Sequence, residues 1–122
     1  MQSLLIALAL TTPLIAHDMW IEPSTFTPQT AQIVGLRHFV GQDLIGDPLP
    51  RNPALINQFI VHDATGRKPV IGRAGADPAG LIRIAAPGLA IVGYRSLSST
   101  VELPAAQFNS YLKEEGLIAV AA

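Results

Sequence analysis

Ten prolines and ten glycines, spread through 122 residues, decide most of what this chain can become. They separate short runs rich in β-branched and aromatic residues, so no helical period is sustained before Pro104. Those runs are Trp20–Pro23, Ala31–Val40, Leu55–Asp63, Pro69–Ile71, Leu81–Ile84, Leu89–Ser96 and Thr100–Leu103, and each reads as a strand. Ala31–Val40 is the clearest. Val34, Leu36 and Val40 share one face with His38, while Ile33, Gly35, Arg37 and Phe39 share the other, so His38 is predicted to point into the core.

The connections follow from turn chemistry. Ala64–Lys68, with Gly66, predicts a β-hairpin into Pro69–Ile71. Pro87-Gly88 has the residues of a type II turn and predicts a second hairpin between Leu81–Ile84 and Leu89–Ser96. Residues 41–54 hold two glycines and three prolines and read as a long surface loop, with Gly46-Asp47-Pro48 as its sharpest turn. Trp20, Phe59 and Tyr94 are expected in the core. Pro104–Glu115 is the one convincing helix, opened by proline and closed by Gly116, with Phe108, Tyr111 and Leu112 spaced to dock on the sheets. Short strands, no βαβ alternation and one late helix give a mainly β fold. The expected architecture is an immunoglobulin-like or transthyretin-like β-sandwich with a C-terminal helix.

Charge and cysteine content exclude several functions. Eight Lys+Arg against nine Asp+Glu leave a net charge of −1, and the arginines are scattered singly, so there is no basic track for nucleic acid. With no cysteine there can be no disulfide, no thiolate metal site and no cysteine nucleophile. Leu4–Ala16 is an apolar run of about 13 residues, short of the roughly 20 that a membrane-spanning helix needs but ordinary for a signal-peptide core. Residues 1–16 are therefore expected to be an export signal and residues 17–122 the β-sandwich domain. The expected location is the bacterial periplasm or the secreted fraction.

Cleavage after Ala16 makes His17 the first residue. Its α-amine and Nδ1 then form a bidentate clamp, which with an opposing imidazole suits Cu(II) and also Ni(II). His38 and His62 are the other two histidines and the candidate partners, with Asp18, Glu22 and Asp63 as possible oxygen ligands. Against this, single histidines on strands are usually structural, and His62 sits at a polar strand end. No HExxH or HxxxH pattern occurs, no Gly-x-Ser-x-Gly elbow, and no EF-hand spacing. Nothing here points to an enzyme.

Ala16-His-Asp-Met-Trp-Ile-Glu-Pro23, Val40-Gly-Gln-Asp43 and Gly46-Asp-Pro-Leu-Pro-Arg51 together resemble a known family. So do Gly75-Ala-Asp-Pro-Ala-Gly-Leu81, Ala86-Pro-Gly-Leu89, Gly93-Tyr-Arg-Ser96 and the stretch from Val101 to Gly116. The family is DUF4198, bacterial exported proteins of the NikM-like kind, some labelled periplasmic components of nickel or cobalt uptake. The resemblance implies a β-sandwich and implies no catalytic residues. Family members are usually about twice this long, so the chain is expected to correspond to their N-terminal half.

Two functions emerge from these readings. The first is an exported, non-enzymatic sandwich that binds a small ligand, a transition-metal ion (Ni, Co or Cu), through His17 with His38 or His62, in metal uptake or homeostasis. The second is an interaction module that presents residues 41–54 to an envelope or membrane-transporter partner, without metal. Carbohydrate binding, by analogy with other sandwiches, is a weaker third.

Overall fold

A computed structural model describes residues 17–98, 102–114 and 116–117. Among these residues seven strands follow in chain order: β1 (Asp18–Pro23), β2 (Ile33–Gln42), β3 (Ile45–Leu49), β4 (Ile56–Asp63), β5 (Gly66–Pro69), β6 (Gly80–Arg83) and β7 (Ile91–Ser96). A helix, α1 (Ala105–Glu114), comes last. The strands form two antiparallel sheets. In the first, β2 is flanked by β1 on one side and by β3 and β6 on the other; the second has the order β5-β4-β7. The fold is a mainly β sandwich, as the punctuated strand pattern predicts.

β2 organises the molecule because it is long enough to pair three times. Its C-terminal half meets β3 (His38 opposite Leu49), and its N-terminal half meets β6 (Val34 opposite Ile82). Along its other side it pairs with β1, with Ile21 opposite His38 and Trp20 opposite Phe39. The inward face of β2 behaves as its alternation predicts: Val34, Leu36 and His38 are buried. Val34 and Leu36 pack with Ile82 and Ile84 against Phe59, Val61 and Val70, which joins the two sheets in one core. Removing side chains of this size from water stabilises by about 1.5–3 kcal/mol each.

Gly80 marks the tightest point of that core. A Cβ there would collide with Val70 Cγ1 and come within 2.9 Å of the Phe59 ring, so only glycine lets β6 approach β4 and its following segment.

The hairpin predicted at residues 64–68 is present, with Asp63 opposite Gly66. The Asp63 carboxylate accepts from Thr65 N at 2.8 Å and from Thr65 Oγ at 2.6 Å, which fixes the turn. Other connections differ from expectation. Residues 41–54 are not an irregular loop: β3 folds back on β2 through a two-residue turn at Asp43-Leu44, and Pro53–Leu55 adds a short 3₁₀ turn. Asp43 and Leu44 both have positive φ, 53° and 59°, the geometry of a type I′ turn. Such turns usually carry Asn-Gly, so neither residue announced it. The segment around Pro87-Gly88 is no hairpin either. Gly88 does take positive φ (113°), but β6 belongs to the first sheet and β7 to the second, so this stretch crosses between sheets.

Trp20 is also on the other side from where it was expected. It stacks on Phe39 at 5.7 Å on the outer face of the first sheet, where the Arg37 guanidinium lies 4.8 Å from the Phe39 ring centre. Arg37 pairs with Asp77 through two hydrogen bonds of 3.0 and 2.7 Å, tying the segment before β6 to this outer face. Phe59 is in the core and Tyr94 packs partly buried against it, as expected.

The sandwich occupies the compact unit His17–Val101; the helix belongs to a separate unit. α1 starts where Phe108 N donates to Pro104 O and ends at Gly116, whose φ of 74° closes it, with Leu117 N donating to Leu112 O at 2.7 Å. Of the three apolar residues spaced along it, Leu112 is buried, whereas Phe108 and Tyr111 are exposed. The strand predicted at Thr100–Leu103 lies partly outside the described residues, and Glu102 and Leu103 are not in a strand. The predicted signal at residues 1–16 lies wholly outside them. Among the described residues no helix is long and apolar enough to cross a membrane.

Candidate functional site

Strand alternation decides which candidate ligands can meet. On β1, Trp20 faces outward with Glu22 and Asp18, and Ile21 faces inward with Met19. His17 precedes the strand and is exposed. Asp18 and Glu22 therefore sit on the opposite face from His38. His62 follows buried Val61 on β4, so it is exposed on the outer face of the second sheet. The Asp63 carboxylate is engaged in its own turn with Thr65.

The three histidines are thus not brought to one point. His38 lies opposite Ile21, four residues from His17, which is about 13 Å of strand. Among the described residues no group of three or more His, Asp or Glu is placed to hold a metal ion.

His38 itself is unusual. It is 4% exposed, and among the described residues its Nε2 has no hydrogen-bond partner. Its ring is held between two aromatics, with centroids 4.8 Å from Phe59 and 4.6 Å, edge-on, from Tyr94. Burial, helped by the nearby Arg51 charge, lowers its pKa from the ordinary 6.5, so the imidazole is neutral at pH 7 with a lone pair available. A buried polar nitrogen without a partner costs about 1–3 kcal/mol, which singles this atom out.

His38 walls a cavity of about 370 Å³ together with Met19, Leu49, Arg51, Tyr94 and Ser96. Met19 is opposite Val40 and hence diagonal to His38, about 7–8 Å away between backbones and within reach of a long side chain. Arg51 is fixed from several directions. Its backbone N–H donates to Ala76 O and its carbonyl accepts from Gly75 N, both at 2.8 Å, while its guanidinium donates to Ala79 O at 3.0 Å. That anchors one positive charge beside the cavity.

Met19 is the residue that sequence reading passed over. Its place beside His38 follows only from the register of β1 on β2.

A second and larger cavity, about 670 Å³, lies between the sheets over Ile21, Val34, Leu36, Ile82, Ile84 and Val92. None of its lining residues is charged.

No protein-family model, curated protein or solved structure matches this chain.

Proposed function

We propose that this chain is an exported, non-enzymatic β-sandwich of the bacterial cell envelope that binds a transition-metal ion, in support of metal uptake or homeostasis. The observation that carries the reading is the partnerless Nε2 of buried His38 in a cavity shared with Met19. The resemblance of the motif order to that of the DUF4198 family supports the envelope setting. Of the three metals the sequence suggests, copper as Cu(I) suits the residues best. A thioether and an imidazole are a soft pair that favours Cu(I). The fixed Arg51 charge opposes a divalent ion about twice as strongly as a monovalent one. His17, exposed just before β1, serves as a separate amine–imidazole clamp or as a first point of capture.

The test is competition against a chromophoric Cu(I) chelator under reducing, oxygen-free conditions, with Ni(II) and Co(II) titrated in parallel. One equivalent of Cu(I) is expected to bind, more weakly by about tenfold or more in Met19→Leu and not at all in His38→Leu. An extra glycine before His17 separates the clamp from the His38 site. Binding of no metal, or binding indifferent to both substitutions, ends the proposal.

A second reading is favoured by one observation: at the tip of the β2–β3 hairpin, Leu44 is 78% and Ile45 80% exposed. Two large apolar side chains at a hairpin tip suit a module that presents residues 41–54 to an envelope or transporter partner. Under that reading Leu44→Ser abolishes partner binding while His38→Leu leaves it intact.

A further inference from the structure

The strands at the margins of the two sheets are not equally protected. β1 ends in Pro23, β3 contains Pro48, and β5 carries Lys68 and Pro69. β6 is met on its outer side by a bridge from Ile71 to Leu81. Proline and lysine at such positions block the addition of a further strand. β7, Ile91-Val-Gly-Tyr-Arg-Ser96, has no proline and only Arg95 near its end.

The hydrogen-bond phase of β7 follows from its neighbour. Val70 N donates to Phe59 O, so the peptide groups of Phe59 point towards β5, and those of Val61 do the same by the two-residue period. Val92 lies opposite Val61 and Tyr94 opposite Phe59. The N–H and C=O groups of Val92 and Tyr94 therefore point away from β4, along the outer edge. Among the described residues no strand pairs there.

The apolar cavity lies beside this same edge, with Ala90 and Val92 in its wall. Its floor is the inner face of the first sheet at Val34, Ile82 and Ile84. Phe26 and Leu89, on the loops around it, are 83% and 77% exposed.

We infer that the β7 edge and this cavity receive an extended peptide segment of another polypeptide, which adds a fourth strand to the β5-β4-β7 sheet. Its main chain pairs with the outward N–H and C=O groups of Val92 and Tyr94. Its alternate side chains enter the cavity and are uncharged, since no lining residue can neutralise a charge, and apolar ones suit the wall at Val34, Ile82, Ile84 and Val92. This occupant is chosen over a small apolar molecule because only an extended main chain can pair with the outward N–H and C=O groups of Val92 and Tyr94 while its side chains reach the cavity. The inference does not rest on metal binding: it stands on the open β7 edge and the large cavity, although Tyr94 also walls the His38 cavity.

The experiment is amide hydrogen exchange, followed by NMR on the full chain, with a synthetic peptide that alternates valine and threonine between terminal lysines. A peptide of the same composition with its valines grouped together is the control. Exchange at Val92 and Tyr94 is expected to slow at least tenfold with the alternating peptide only, while Gly93, already directed at β4, is unchanged. Val92→Lys removes the effect. Val92→Thr, close in shape, keeps the fold and weakens binding if the lysine variant fails to fold. Three results overturn the inference: no slowing at Val92 and Tyr94, equal slowing with the grouped peptide, or protection present before peptide is added that does not depend on protein concentration. Protection that does depend on it supports the inference, with a second copy of the chain as the occupant.

Discussion

The two cavities are built on the same three strands and differ by one step along each. Ile21, Leu36 and Val92 wall the larger; Met19, two residues before Ile21 on antiparallel β1, walls the smaller with His38 and Tyr94, each two residues after its counterpart. The backbone is alike in both halves, because the inward positions repeat every second residue. Chemistry alone separates them. In one half the inward side chains are hydrocarbon. In the other they offer a thioether, a neutral imidazole and a phenol beside a fixed guanidinium. A sandwich can therefore hold an apolar compartment and a polar one without a change of fold.

Cutting one inward residue in each half tests this contrast, and the effects are expected to differ in sign. Leu36→Ala, in a fully buried position, should lower stability by about 2–5 kcal/mol in chemical denaturation, from lost transfer energy and the space left behind. A loss under about 1 kcal/mol would mean that the two halves are not held by a common core. His38→Leu removes an imidazole nitrogen that has no partner. In metal-free protein it should raise stability by about 1 kcal/mol while abolishing Cu(I) binding. Destabilisation instead would show that Nε2 is satisfied in solution, and the polar half would then be structural.

The smallest effect is that of pH, and it again divides the molecule. The folded pKa of His38 lies below its ordinary 6.5, so the unfolded chain takes up the proton first. Stability should be full above about pH 6.5 and decline as pH falls towards the folded value, and His38→Leu should flatten that decline. Asp77, lowered by its hydrogen bonds from Arg37, and Asp63, lowered by those from Thr65, act in a lower range. Both should contribute above about 3.8, the ordinary value, and that contribution is lost as pH falls through their folded values. A melting-temperature series across pH 3–8 in wild type and His38→Leu separates the two ranges.

The larger features of the fold were legible because they rest on period and punctuation. The run Ile33–Val40 by itself places Leu36 and His38 inward, since eight residues of alternation define a phase. Trp20 was misplaced because Trp20-Ile21 sets two large apolar residues side by side, and a short strand gives no phase to choose between them. The β2–β3 hairpin was missed because Leu44 occupies a left-handed conformation that its side chain does not advertise. The crossover at Gly88 shows a further limit: Pro-Gly specifies a turn, but which sheet the next strand joins is decided by distant packing. At the site, the histidine types were visible. Their separation by four strand positions, and the diagonal approach of Met19 to His38, needed the register of β1 on β2.

Trp20 is the sole tryptophan of the chain, and its place on the outer face gives it a use. Stacked on Phe39 with Arg37 beyond, its fluorescence reports the surface of the β1–β2 pair and not the interior. Emission should shift when β1 detaches and stay unchanged when a ligand enters beneath the sheet. Intrinsic fluorescence is thus a built-in gauge of edge-strand fraying, and a titration that leaves it silent is no evidence of an empty core.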